Sequence, residues 1–408
     1  MKKRFIRARG PILAVCFALA LAVPGCAPGN AAVTDEGTPP QPTPTATDEN
    51  TPPDAGSDAT GGGDEIPADT GEPDFAAARA ALPAERAVMN VNGEDILWDE
   101  YFFAVYANIS NALSYYEPYS EPLPGWDYEI MEGVTFKDYI NDAIYNELIT
   151  YRAVDAGAKE LNISLSEGDL AEIDAQLAEM EEALGSKEAL DKYFADIFCS
   201  EKLYRRMMET SLLHGLCFDA LYGEGGERLP ASDLEQFAAG SDFLMAKHIL
   251  TFTIDPATNA PLPDDEIALA RQEAEDILAE LDGYSGDGFG AFFDELMNAR
   301  SADTGLQSNP GGYLFTAGDM VPEFEEAARA LEVGGYSRIV ESSFGFHIIY
   351  RIPIDYDASP SSQPNYTLRY LAALDMFDRT AMETWRSSLS VTLSAEYEDL
   401  DLAEMFGS

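Results

Sequence analysis

Apolar and polar positions change their period several times along the chain, and each change marks an element. Ala87-Val88-Met89-Asn90-Val91 followed by Asn92-Gly93 reads as a short strand closing in a tight turn. Residues 98–116 follow with a strongly aromatic helical pattern, and residues 118–126 hold three prolines and read as a loop. In residues 136–161, Ile140, Ile144, Leu148 and Tyr151 recur at three- and four-residue spacing, the buried stripe of an amphipathic helix. Ser164 and Ser166 open a further helix at 168–184, and residues 187–222 supply one or two more.

The period then shortens. Ala246-Lys247-His248-Ile249-Leu250 is a buried-strand pattern, as is Phe346-His347-Ile348-Ile349 about a hundred residues on. Between them lie helical patterns at 263–281, 289–299 and 321–331. The first places Ile267, Ala270, Ala274, Ile277, Leu278 and Leu281 on one face. Closing strands are expected at 338–342 and 346–352, giving a β-α-α-β-α-β-β order that suits a small α+β domain with helices around an antiparallel sheet. Residues 353–364 read as a linker and 367–389 as a helix. Val391, Leu393, Ala395 and Tyr397 alternate as a strand.

The chain carries 73 acidic and 25 basic residues, a formal charge of −48. Such a surface excludes nucleic acid as a partner and is repelled by anionic lipid. The N-terminus departs from this balance. Lys2, Lys3, Arg4, Arg7 and Arg9 precede an apolar run from Ile12 to Val23, the pattern of a secretory signal peptide over residues 1–25. Val23-Pro24-Gly25-Cys26 resembles a bacterial lipobox, which makes Cys26 the expected lipidation site. Ordinary cleavage nearby, with Cys26 a free thiol, is the alternative. Residues 26–83, rich in Pro, Thr, Gly and Asp, lack the apolar residues a core needs and read as a disordered tether. Such a tether reaches roughly 40 Å on average. Cys199 and Cys217 remain in the body on predicted helices, and their pairing is open. No cysteine or histidine spacing points to a metal.

Only three histidines occur, and two of them, His248 and His347, sit in the two buried-strand patterns. Taken singly, each is more often a structural hydrogen-bonder than a catalyst. The intervening sequence changes the balance. It runs through Ser301-Ala302-Asp303, Asn309-Pro310-Gly311-Gly312, and Gly318-Asp319-Met320-Val321-Pro322-Glu323-Phe324-Glu325, and closes on Phe344-Gly345-Phe346-His347. In order and spacing this resembles the parvulin family of peptidyl-prolyl cis/trans isomerases. The resemblance implies a domain over residues 239–355 that rotates X-Pro peptide bonds, with His248, Asp303, His347 and Ser342 as its catalytic network. It implies a proline slot lined by Met320, Phe324, Leu314, Phe315 and Phe344. It also implies no cofactor and no metal, because no bond is broken: the site need only fit the twisted amide better than the planar forms. One departure is noted: the stretch from Gly312 to Gly318 reads as about two residues shorter than the family pattern.

Residues 84–238 resemble the helical N-terminal part of extracytoplasmic foldases of the PrsA and SurA type. Asn92-Gly93 and the run from Ala158 to Ser166 carry the likeness. In such proteins the tail returns to the N-terminal domain, so residues 356–408 are expected to complete it and the strand at Val391 to pair with Val88–Val91. A helical lobe complete without the tail is the alternative. The fold expected is therefore α+β, a small parvulin domain inserted in a mainly helical chaperone-like domain built from N- and C-terminal segments. The expected function is a membrane-anchored foldase on the outer face of a Gram-positive type cell membrane, acting on unfolded secreted proteins that contain X-Pro bonds. A holdase with a weak or inactive parvulin module is the second reading, and a lipoprotein that binds a small ligand in its aromatic lobe the third.

Overall fold

The computed structural model describes residues 73–116 and 123–406. The expected signal peptide, Cys26 and nearly all of the tether lie outside the described residues. Those up to Leu221 and from Met376 onward form one compact unit, and Tyr222–Asp375 form the other.

The first unit opens with helix α1 (Phe75–Arg79) and the hairpin β1 (Ala87–Val91) to β2 (Glu94–Leu97). Asn92 and Gly93 both adopt positive φ, 54° and 87°, as a two-residue turn between twisted strands requires. Helix α2 (Trp98–Tyr116) follows, then the short hairpin β3 (Glu129–Met131) to β4 (Val134–Thr135), which the periodicity does not announce. Helix α3 (Phe136–Glu160) buries Ile140, Ile144 and Leu148 as expected, and begins at a capping box in which Thr135 and Asp138 satisfy each other's amides. Helices α4 (Glu167–Leu184), α5 (Lys187–Asp196) and α6 (Glu201–Tyr222) complete this stretch. Ser166 caps α4, and Gly185 ends it in the left-handed conformation. Cys199 and Cys217 are both buried free thiols.

The second unit holds helix α7 (Ala231–Gly240), strand β5 (Leu244–Phe252), helices α8 (Asp264–Gly283) and α9 (Phe289–Arg300), and strand β6 (Tyr313–Phe315). Helix α10 (Pro322–Ala330) and the hairpin β7 (Val340–Glu341) to β8 (Gly345–Ile352) follow. The strands form one antiparallel sheet in the order β6-β5-β8-β7. Strand alternation sorts the core. Ile249 and Ile348 face Ile277, Leu281, Phe293 and Met297 of α8 and α9. Ala246 and Ile349 face Phe324 and Ala328 of α10 on the other side. The stretch expected as a linker is tied to the sheet: Pro360 bridges Leu314, and the Ser361 amide donates to the Leu314 carbonyl at 2.9 Å.

Helix α11 (Leu368–Phe377) leads back through a π-helical turn, Asp378–Met382, into α12 (Glu383–Ser388). Strand β9 (Val391–Leu393) then pairs antiparallel with β1, Met89 opposite Leu393 and Val91 opposite Val391. The three-stranded sheet is β2-β1-β9, so the first unit is built from both ends of the described chain. The expected strand stops early. Ser394 accepts the Tyr397 amide and caps a short helix, α13 (Ala395–Glu398), which is followed by α14 (Leu402–Phe406).

Candidate active site

Register alone brings the two histidines together. His248 lies opposite Ile349 and His347 opposite Leu250 in the β5–β8 ladder. His347 is therefore two residues from the partner of His248, a diagonal pair on one face of the sheet. Their rings stack with centroids 5.3 Å apart, and the two Nδ1 atoms are 3.1 Å apart. Both side chains are buried.

A chain of hydrogen bonds extends from this pair in both directions. His248 Nε2 is 3.1 Å from Asp303 Oδ2, and Ser342 Oγ is 2.7 Å from His347 Nε2. Asp303 Oδ2 also accepts from the Tyr313 hydroxyl at 2.6 Å, and its Oδ1 accepts from the Gly305 amide at 2.9 Å. An ionised Asp303 fixes the order of protons, since each neutral imidazole has one donor and one acceptor nitrogen. His248 carries its proton on Nε2 and accepts at Nδ1. His347 then donates from Nδ1 and accepts the Ser342 hydroxyl at Nε2. Ser342 Oγ in turn accepts the Phe344 amide at 3.1 Å.

Burial by itself would raise the Asp303 carboxyl, but the hydrogen bonds from His248, the Tyr313 hydroxyl and the Gly305 amide together hold it below the ordinary carboxylate value. Burial pushes His347 down to about 3. The folded site therefore keeps His347 neutral, whereas the unfolded chain protonates it below pH ~6.5. Between pH ~6.5 and His347's folded value the unfolded state binds a proton that the folded state refuses. Stability is thus full above that window and falls on acidification, at about 1.4 kcal/mol per pH unit for this one group. Asp303 acts in the same sense at lower pH. Thermal melts of the full chain between pH 7.5 and 5 should show this loss, and His347→Gln should reduce the slope by this group's part, leaving that of His214, which burial pushes down to about 4.

Above the histidines lies an apolar wall. Phe324 meets His248 and His347 edge-on, with centroids 5.3 and 5.7 Å away, and packs on Phe315 at 5.7 Å. Met320 is half-buried in the same cluster, just ahead of the Val321 N-cap of α10 and so outside the helix that carries Phe324. Glu325 holds the approach, its Oε1 accepting both the Gly318 and Met320 amides at 2.9 Å. Phe315 is fully buried and forms the floor under Phe324 rather than an open wall. Phe344 is half-buried in the β7–β8 turn and joins the network through its amide on Ser342. Leu314 requires a correction. Alternation along β6 turns it to the opposite face, where it packs on Met245, Ala238 and Leu368, away from the histidines. Its neighbour Tyr313 takes the inward position, 5.6 Å ring to ring from His248. Tyr313 escapes a reading from sequence because Tyr-Leu-Phe is apolar throughout and gives no alternation to follow. Among the described residues no cluster of His, Cys, Asp or Glu fits a metal ion.

A four-stranded antiparallel sheet carrying a buried His-His pair, with an acid at one end, a hydroxyl at the other and an apolar wall above, defines a class. Residues 248–352 match the rotamase model, the PPIC-type peptidyl-prolyl isomerase domain, and this part of the chain is a parvulin-type domain. Curated relatives include foldase proteins PrsA. That of Oceanobacillus iheyensis is 30% identical over 215 residues, 52% of this chain and 60% of the relative. That of Caldanaerobacter subterraneus is 26% identical over 261 residues, 64% of this chain and 71% of the relative. The match thus spans 60% of the first relative's own length. Among solved structures, peptidylprolyl isomerase PrsA of Bacillus anthracis is 20% identical, covering 59% of this chain and 96% of that one with a TM-score of 0.23.

Proposed function

We propose that this chain is an extracytoplasmic foldase whose parvulin-type domain, residues 239–355, rotates X-Pro bonds in secreted proteins. The observation that carries the reading is the hydrogen-bonded line Asp303–His248–His347–Ser342 lying directly beneath Phe324 and Met320. A prolyl ring needs an apolar seat, which Phe324 and Met320 supply. The amide needs polar groups that favour its twisted, less conjugated form over either planar one. His248 and Asp303 stand at that position, with His347 and Ser342 holding His248 in orientation. The barrier to be lowered is ~18–20 kcal/mol. No electrons move and no covalent intermediate is needed.

In this reading residues 84–238 and 356–408 make a chaperone-like domain that holds unfolded clients, and the parvulin domain is inserted in it. Residues 26–83 are the tether, and Cys26 carries the lipid that anchors the protein to the outer face of the membrane. Foldases named PrsA among the relatives support the assignment. Exchange spectroscopy on an X-Pro peptide with the purified full chain tests it: catalysed cis/trans exchange supports the reading, and binding without exchange leaves a holdase. Cys26→Ser is expected to release the protein from the membrane fraction, and a variant that stays bound would remove the anchor from the proposal.

A further inference from the structure

We infer that Tyr313 is a positioning residue of this site, whose hydroxyl holds the Asp303 carboxylate in the orientation that receives the His248 proton. The inference rests on the isomerase reading and deepens it.

Asp303 Oδ2 faces two donors at once, Tyr313 Oη at 2.6 Å and His248 Nε2 at 3.1 Å, while Oδ1 takes the Gly305 amide. A carboxylate satisfies all three, but a neutral acid has one acceptor site fewer and a proton to place. The shorter of the two contacts to Oδ2 is the phenol's. Burial and the Asp303 charge raise the Tyr313 hydroxyl above its ordinary range, so it remains a donor at any physiological pH. With Oδ2 held this way, the carboxylate stays in place to receive the proton on His248 Nε2.

The contact is built into the backbone from both sides. Tyr313 pairs with Ala246 across β5–β6, which sets its side chain on the histidine face. Gly305 leaves room for the phenol: a Cβ there would stand 2.3 Å from the Tyr313 oxygen. The short helical turn that carries Gly305 is itself capped by Asp303. Tyrosine, glycine and aspartate therefore form one interlocked corner, with the histidine pair hung from it.

The test uses the full chain labelled with ¹⁵N-histidine, in which only three rings report. Wild-type His248 should read as the Nε2–H tautomer. Tyr313→Phe keeps the ring and removes the donor. It should leave the proton on Nε2 but shift the His248 Nε2 resonance as its hydrogen bond to Asp303 loosens, and lower kcat/KM for an X-Pro peptide about tenfold, the loss of one hydrogen bond to a charged group. Gly305→Ala, which drives the phenol off Asp303, should reproduce both effects and decides the matter if Tyr313→Phe does not fold. An unmoved His248 Nε2 resonance in these variants overturns the inference whatever the rate, and an unchanged rate with a shifted resonance overturns it too. A wild type that shows the tautomer but no catalysis refutes the isomerase reading instead.

Discussion

Asp303→Asn is expected to lower X-Pro isomerisation about a hundredfold, the usual scale for losing one preorganised polar group at a reacting centre. The change is isosteric, so its effect comes from reversing donors. The oxygen of the new carboxamide must stay on the Gly305 amide, because turning the side chain over would set two N–H groups against each other. Its NH₂ then faces His248 Nε2 and Tyr313 Oη, where two donors now point. His248 has to accept at Nε2 and move its proton to Nδ1. That places a proton toward His347 Nδ1, 3.1 Å away, which must become an acceptor in turn. His347 then donates from Nε2, and Ser342, already taking the Phe344 amide, must turn its own proton elsewhere. One atom's exchange thus inverts the line from end to end. The measurement is the rate by exchange spectroscopy beside circular dichroism and a melt. A folded Asp303→Asn variant with the wild-type rate would remove the line from the mechanism.

The largest expected effect on stability lies in the other unit. Gly157 sits inside α3, where alanine would ordinarily gain about 1 kcal/mol. Here a Cβ would lie 2.3–2.4 Å from three ring atoms of Trp385 on α12. Trp385 is buried, and its ring meets Phe377 edge-on at 5.7 Å. Gly157→Ala should therefore destabilise this unit by about 2–3 kcal/mol through overpacking. Trp385→Ala should cost ~3–5 kcal/mol by opening a cavity. The double variant should lose less than the two together, because the new methyl then occupies vacated space. Urea unfolding followed by far-UV circular dichroism measures all three. If Gly157→Ala instead gains stability, α12 does not seat on α3 and the returning tail is no part of this unit.

Several features were legible because local pattern and tertiary context agree. The apolar runs around His248 and His347 read as buried strands, and the parvulin resemblance paired the two histidines; the β5–β8 register that sets both rings on one face is a property of the fold. The stripe Ile140, Ile144, Leu148 and the serine caps marked helices whose ends fall within a residue or two of expectation. The rest depended on information that sequence does not carry. On β6, three consecutive apolar residues leave the facing undecided, so the sequence assigns both Leu314 and Phe315 to the slot, whereas only Phe315 and the unassigned Tyr313 face the histidine side. After Leu393 the alternation of Ala395 and Tyr397 resembles a strand, yet Ser394 offers the Tyr397 amide a cap and the chain turns helical. Helix α7 starts after an N-cap, Pro230, that offers no side-chain hydrogen bond, and its short apolar pattern gives nothing to follow. The tie between Pro360 and Leu314 is a long-range bridge that no linker composition reveals.

The isomerase reading requires a prolyl ring to sit against Met320 and Phe324 above the histidine pair. The most direct test is a titration of the full chain, labelled at methionine methyls, with an X-Pro peptide whose cis and trans signals are followed together. The Met320 methyl, assigned by Met320→Leu, should shift on binding while the two proline forms exchange, and Phe324→Ala should abolish both. Catalysed exchange with an unmoved Met320 methyl would place the site elsewhere on the chain, and a Met320 shift without exchange would make this a binding groove and not an isomerase.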